Sequence, residues 1–126
     1  VKTYRVTWQD AIEGHQYALL DGGMPGILDK NIILAALARP YHGYHRWIWQ
    51  KAAALSHGII TNHGFVDGNK RTALYLVDLL AEKSGWEVDM KDDEITDLFV
   101  SVASGEVGYE DLADRFRHRF QRPEAE

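Results

Sequence analysis

Apolar residues recur every three or four positions along most of this chain, the period of a helix with one buried face. Thr7 is placed to cap a first helix from Trp8 to about Leu20, with Ile12, Leu19 and Leu20 on its apolar side. Gly22-Gly23-Met24-Pro25-Gly26 stops it, since three glycines and a proline disfavour a helix interior. Asp29 caps a second helix, whose stripe of Ile32, Ile33, Ala36 and Leu37 ends at Pro40. A longer helix runs from His45 to about Thr61, with Ile48, Ala52, Leu55 and Ile59 at helical spacing. After a polar turn, Asn69 to Lys83 forms another helix, closed by Gly85. Its middle, Thr72 to Val77, is apolar on nearly every side, which predicts a central, buried position. Trp86-Glu87-Val88-Asp89 alternates and predicts a short extended stretch. Helices over Asp92–Ala103 and Tyr109–Phe120 complete the series. The expected fold is all-α: a compact bundle of about six helices in one domain, residues 1–126, with a polar tail at 121–126.

Composition narrows this picture. A chain of 126 residues accommodates a single core. The absence of cysteine excludes disulfides, thiol nucleophiles and thiolate metal sites, and suits a reducing cytoplasm. The opening Val1-Lys2-Thr3-Tyr4-Arg5 has no apolar segment of the kind a signal peptide carries. No apolar run approaches the roughly 20 residues needed to cross a bilayer. A cytoplasmic protein without a membrane partner is expected. A net charge of −5 argues against nucleic acid as a direct ligand. The arginines at 115, 117, 119 and 122 read as a solvated face of the last helix.

The chemistry concentrates in His63-Gly64-Phe65-Val66-Asp67-Gly68-Asn69-Lys70-Arg71-Thr72, where the polar turn meets the apolar helix. Cations in the first turn of a helix oppose its dipole by ~0.3–1 kcal/mol each. Lys70 and Arg71 stand there nonetheless, which makes sense if an anion binds. Gly68 lets the backbone approach that anion, and the Asn69 amide can donate to it. Asp67, the expected N-cap, places a carboxylate beside the same pocket. Next to phosphates such a carboxylate is a natural Mg²⁺ ligand, because magnesium takes only one or two protein carboxylates. His63 is the group able to accept a proton near neutral pH, and nearby cations favour its neutral form. Phe65 is expected to point inward. A base, a metal carboxylate and a cradle of amides and cations together suit phosphate transfer.

These residues resemble the Fic/Doc signature H-x-F-x-[DE]-G-N-G-R-x-x-R, and above all its Doc variant H-x-F-x-x-x-N-K-R. His63, Phe65, Asp67, Gly68, Asn69, Lys70 and Arg71 carry the resemblance. It extends to the glycine-rich flap of that family, here with Gly23, Pro25 and Gly26, and to a following helix ending in Ala38-Arg39-Pro40. Most of the chain, from about His15 to Phe120, is covered. The resemblance implies a Fic/Doc-type helical bundle that uses ATP and Mg²⁺. Fic proteins proper transfer AMP, with Gly where this chain has Lys70 and a second Arg where it has Leu74. Doc-type members share the Lys, which implies a reversed ATP and transfer of the γ-phosphoryl group to a protein hydroxyl. The implied target is a threonine of elongation factor Tu, so that translation is blocked. AMP transfer, and a nucleotide-binding module without catalysis, are the alternatives.

The inhibitory pattern [ST]-x-x-x-E-[GN] of many Fic proteins occurs nowhere in this chain. The resemblance then implies inhibition in trans, by a Phd-type antitoxin helix lying in a groove. Other residues read as structural. His15, His57 and His118 fall on helices, as solvated or satisfied core groups. His42 and His45 have metal-like spacing but lack a third ligand, and the aromatic stretch around them, with Trp49, reads as core packing, the alternative being an exposed partner or flap surface. Asp78 on the apolar helix is expected to pair internally.

Overall fold

A computed structural model describes residues 3–123, and among these the chain forms six α-helices and one two-stranded ribbon. The helices are α1 (Trp8–Ala18), α2 (Lys30–Ala38), α3 (Ile48–Asn62), α4 (Asn69–Lys83), α5 (Asp92–Ala103) and α6 (Tyr109–Arg117). The strands are β1 (Glu87–Val88) and β2 (Phe120–Gln121). The all-α expectation holds.

Side-chain contacts fix the starts of α1, α2 and α3. The Thr7 hydroxyl accepts the Asp10 N–H at 3.1 Å while the Asp10 carboxylate accepts the Thr7 N–H at 2.9 Å, a reciprocal capping box. Asp29 accepts from Asn31 N–H at 2.9 Å and opens α2. Pro40 ends α2, and Arg39–Tyr41 tighten into a 3₁₀ turn. Three helices are shorter than expected. Helix α1 ends at Ala18. Helix α3 begins at Ile48, because Gln50 accepts the Trp47 N–H at 3.0 Å and fixes the start there. Helix α6 ends at Arg117, after which Phe120–Gln121 turns back to pair antiparallel with Glu87–Val88.

The core is organised around α3, which packs against α2, α4 and α6, while α1 lies on α4. Ala52, Ala53, Ala54 and Leu55 are wholly buried, and such small residues let neighbouring helices approach closely. The expectation that α4 is the central helix needs correction. Its Ala73, Leu76, Val77 and Leu80 are buried, but Arg71 and Asp78 lie on an exposed flank. The buried face of α1 is also not the expected one. Ala11, Gly14, His15 and Ala18 face inward, whereas Ile12 is half-buried and Leu20 is exposed. A Cβ on Gly14 would lie 2.7 Å from the Tyr75 ring, so this face is flat to let α1 and α4 touch.

The carboxy-terminal arginines are not one solvated face. Arg119 donates to Glu94 at 2.5 and 2.8 Å and to the Asp89 carbonyl at 2.8 Å. The Arg122 guanidinium lies 4.1 Å above the Trp86 ring. Both fasten the return segment to the bundle. Of the expected polar tail, Gln121 belongs to β2, and residues 124–126 lie outside the described residues. His45 is buried and its Nδ1 meets the Tyr109 hydroxyl at 2.7 Å. His57 Nδ1 accepts from Arg39 at 3.1 Å. Among the described residues no three His, Cys, Asp or Glu cluster as a metal site, and no helix is long and apolar enough to cross a membrane. The aromatic stretch is only partly core: Trp47 and Trp49 stack at 5.4 Å, but Tyr44 is 89% exposed.

Candidate active site

Helix α3 ends at Asn62 and is capped by His63, whose φ of 49° is left-handed, a conformation that terminates helices and is uncommon outside glycine. The chain then enters a turn held from two sides. Gly64 lies so close to Ile33 that a Cβ there would meet Ile33 Cγ1 at 2.3 Å. The Phe65 ring is wholly buried, as expected, and anchors the turn to the core. On one side runs the flap between α1 and α2. Gly26 C=O accepts the Val66 N–H at 3.0 Å, and Gly64 C=O accepts the Leu28 N–H at 2.8 Å. These bonds flank an antiparallel bridge between Ile27 and Phe65.

In that register the N–H and C=O of Phe65 point away from the flap. Asn69 takes both. Its Oδ1 accepts the Phe65 N–H at 3.2 Å and its Nδ2 donates to the Phe65 C=O at 3.0 Å. The Asn69 side chain, expected at an anion, is therefore first a latch that closes the turn onto α4. Its backbone N–H remains available at the helix start.

The expected N-cap also changes. Gly68, at φ 78°, caps α4, and no side chain caps the helix. The Asp67 carboxylate turns instead to accept the Gly68 N–H at 2.9 Å and the Met24 N–H at 3.2 Å. These two donors, Met24 first, hold its carboxyl below the usual carboxylate range, and the Lys70 charge acts in the same direction. Asp67 thereby ties the signature turn to the flap. At Gly23, with φ 109°, a Cβ would lie 3.1 Å from Asp67 Oδ2.

A cleft of about 470 Å³ opens over this junction. His63, Asp67, Gly68, Asn69, Lys70 and Arg71 all line it, with Gly23 of the flap at its rim. The structure thus brings the expected site residues to one place. Lys70 and Arg71 are exposed at the first turn of α4, beside backbone N–H groups that no side chain caps. Arg71 pairs with Asp21 at 3.2 Å, and both side chains remain solvent-exposed. Of the other flap positions, Gly26 bonds to the turn at φ 129°, and Pro25 lies exposed between it and Met24. Leu74 faces elsewhere: it is half-buried and lines the neighbouring groove.

One participant was not expected. His15 on α1 donates from Nε2 to the Asp67 carbonyl at 2.8 Å and stacks on Phe65 with ring centroids 4.0 Å apart. The signal was present in the sequence, because a histidine between Ala11 and Ala18 falls on a face otherwise made of small residues. A polar side chain on such a face needs a buried partner.

A metal ion suits the donor set here. The Asp67 oxygens each accept one N–H and face the cleft, and a second lone pair on each is available to a hard cation that keeps most of its water.

The profile of the Fic/DOC family matches residues 9–81, a span that contains α1, the flap, the signature turn and most of α4. A protein named toxin Doc from Mycolicibacterium smegmatis is 34% identical over 100 residues, covering 73% of this chain and 76% of that relative. Protein kinase doc of Escherichia phage P1 is 31% identical over 103 residues, covering 79% of this chain and 81% of the relative. Both alignments are long enough to need the helices around the motif as well as the motif itself, and Lys70 stands where the Doc variant of the signature has its lysine. The chain belongs to the Fic/Doc family and is of its Doc type.

Proposed function

We propose that this protein is a toxin-type kinase that transfers the γ-phosphoryl group of ATP to a hydroxyl of a protein target in the cytoplasm. The observation that carries this reading is the single cleft in which His63, the Asp67 carboxylate, the uncapped amides of α4 and Lys70 converge. The names of the two relatives, a toxin and a protein kinase, support it.

In this reading the target hydroxyl enters beside His63, which takes its proton as the oxygen attacks the γ-phosphorus. The bond from that phosphorus to the β–γ bridging oxygen breaks, and ADP leaves. The N–H groups of Asn69, Lys70 and Arg71 and the two cationic side chains bind the transferred phosphoryl oxygens, where charge is spread in the transition state. A Mg²⁺ ion held by Asp67 would supply further charge neutralisation at the phosphates. Lys70 occupies space that AMP transfer keeps open with glycine, and Leu74 points out of the cleft, so neither favours transfer of AMP.

We infer elongation factor Tu as the target from the Doc-type resemblance. Restraint by a Phd-type antitoxin rests on the same resemblance and on a groove of about 780 Å³ lined by Tyr17, Leu20, Leu74, Leu79, Asp78 and Glu82. Tyr17 and Leu20 are 63% and 76% exposed there, as an apolar helix face would require of its receptor.

The test is incubation with Mg²⁺, elongation factor Tu and ATP labelled at the α- or γ-phosphate, with His63→Ala as control. Label from γ-labelled ATP alone, lost in the variant, is expected. Label from α-labelled ATP would overturn the kinase reading in favour of AMP transfer. Bound ATP without transfer to any protein of a whole-cell lysate would leave a binding module.

A further inference from the structure

Helix α1 carries a buried side chain that the transfer chemistry does not use. His15 is 7% exposed, among Ala11, Gly14 and Ala18. Packing alone would be met by an apolar side chain at this position, without the cost of burying an imidazole. The imidazole does something an apolar group cannot.

Its partner is the Asp67 carbonyl, 2.8 Å from Nε2. The same peptide unit has its N–H, that of Gly68, held by Asp67 Oδ1 at 2.9 Å. The Asp67–Gly68 peptide is thus gripped at both polar ends, at the carbonyl by α1 and at the amide by the residue's own carboxylate. The next carbonyl, that of Gly68, accepts from Thr72 N–H at 2.9 Å and from Thr72 Oγ1 at 2.8 Å. Rotation of the 67–68 peptide would swing the Gly68 N–H away from Asp67 and release the carboxylate from the orientation it holds in the cleft. Gly68, free of a Cβ and at φ 78°, resists such a rotation less than any other residue would. The stacking of His15 on Phe65, with ring planes 11° apart, fixes the donor at the required height.

We propose that His15 is a positioning residue: it locks the Asp67–Gly68 peptide so that the Asp67 carboxylate and the first amides of α4 face the cleft together. The proposal rests on the phosphotransfer reading for its kinetic consequence, while its structural consequence is independent of that reading.

Two substitutions separate the contacts. His15→Phe keeps an aromatic ring over Phe65 and removes the donor. His15→Gln removes the ring and places an amide N–H near the position of Nε2. For each, kcat and KM for ATP are measured with γ-labelled ATP, and amide hydrogen exchange is followed at Gly68. For His15→Phe, kcat is expected to fall about tenfold with KM changed by less than about threefold, the pattern of a lost transition-state alignment. Exchange at Gly68 is expected to quicken by a similar factor, about tenfold, and His15→Gln to restore most of both. Parental kcat and parental Gly68 exchange in His15→Phe would overturn the proposal. So would equal losses in both variants tracking a common drop in thermal midpoint, which is the mark of packing alone. Should His15→Phe fail to fold, His15→Asn takes its place, since its shorter amide cannot reach the carbonyl. If the parent protein transfers no label, the kinase reading fails, and Gly68 exchange alone still decides whether His15 grips the turn.

Discussion

Asn69 offers the sharpest test of how the signature turn works, because two roles for it predict different losses. As a latch it satisfies the Phe65 N–H and C=O at 3.2 and 3.0 Å, on a residue whose side chain is wholly buried. Asn69→Ala leaves both groups without a partner. An orphaned buried backbone group costs about 1–3 kcal/mol, and two would cost about 2–6 if both stayed dry. Asn69 is only half-buried, so water reaches part of the vacated space and the lower half of that range applies, about 2–4 kcal/mol. For a domain of this size such a loss lowers the thermal midpoint by about 10 °C. The assay is thermal unfolding followed by circular dichroism, paired with equilibrium binding of a non-hydrolysable ATP analogue. If Asn69 serves chiefly as a phosphate donor, the pattern reverses. Then the midpoint would stay within about 2 °C of the parent while affinity fell about tenfold, equivalent to ~1.4 kcal/mol. That outcome would refute the latch. Asn69→Asp refines the test, since it keeps the acceptor for Phe65 N–H but sets a carboxylate against the Phe65 carbonyl.

The remaining predictions concern packing, charge and surface pairing. Gly64→Ala should destabilise the protein by about 1–3 kcal/mol in urea unfolding, because its Cβ would sit 2.3 Å from Ile33 Cγ1, itself 1% exposed. Asp78 did not find the internal partner expected of it. It lines the groove beside Glu82 and Asp92 with one side open to solvent, and desolvation against the groove wall first, then the Asp92 and Glu82 carboxylates, push its pKa up to about 6 from 3.8. Arg71 is a cation on the same groove wall. A raised carboxyl pKa favours the protonated folded state, so its contribution to stability declines as pH rises from about 4 to about 6. Asp78→Asn should accordingly raise the urea midpoint at pH 7.5 and leave it unchanged near pH 3, by about 1 kcal/mol after allowance for solvent screening. Glu94→Ala removes the paired contacts to Arg119 at 2.5 and 2.8 Å. Both groups reach solvent, so the loss should be at most about 1 kcal/mol and should shrink in high salt, checked by unfolding at two ionic strengths.

Helix positions were legible wherever a cap and a periodic stripe coincided. Thr7 and Asp29 open α1 and α2 in this way, because a cap and the residues it serves are neighbours in sequence; the 69–83 and 92–103 spans carry no side-chain cap and were marked by their apolar period alone. The errors fell where a tertiary contact overrode the local pattern. Helix α6 stops short of Phe120 because Arg119 reaches Asp89 and Glu94, and nothing near residue 119 announces those partners. Likewise the buried face of α1 is Ala11, Gly14, His15 and Ala18, since what matters there is how close α4 comes, and hydrophobicity alone does not report on it.

The candidate site shows the same division more clearly. Residues that present charge to the cleft were recognisable, since Lys70 and Arg71 contradict the helix dipole and Gly68 relaxes the backbone beside them. Their supports were not. Asp67 looked like a cap because a carboxylate just before a helix usually is one. Here Gly68 caps in the left-handed conformation and frees the carboxylate to take the Met24 N–H from across the flap. A stretch of ten residues thus names the groups proposed to react, but its backbone is held by three remote contacts: Ile33 against Gly64, the flap against Val66, and His15 against Asp67. Each hold grips a backbone group or a glycine within the turn. The turn therefore keeps its form with few side chains of its own, the buried Phe65 and Thr72 and the Asn69 latch, and His63, Lys70 and Arg71 are left to face the cleft. A site built this way is preorganised by the domain that surrounds it, which is what the proposed phosphoryl transfer would require of groups that stabilise charge.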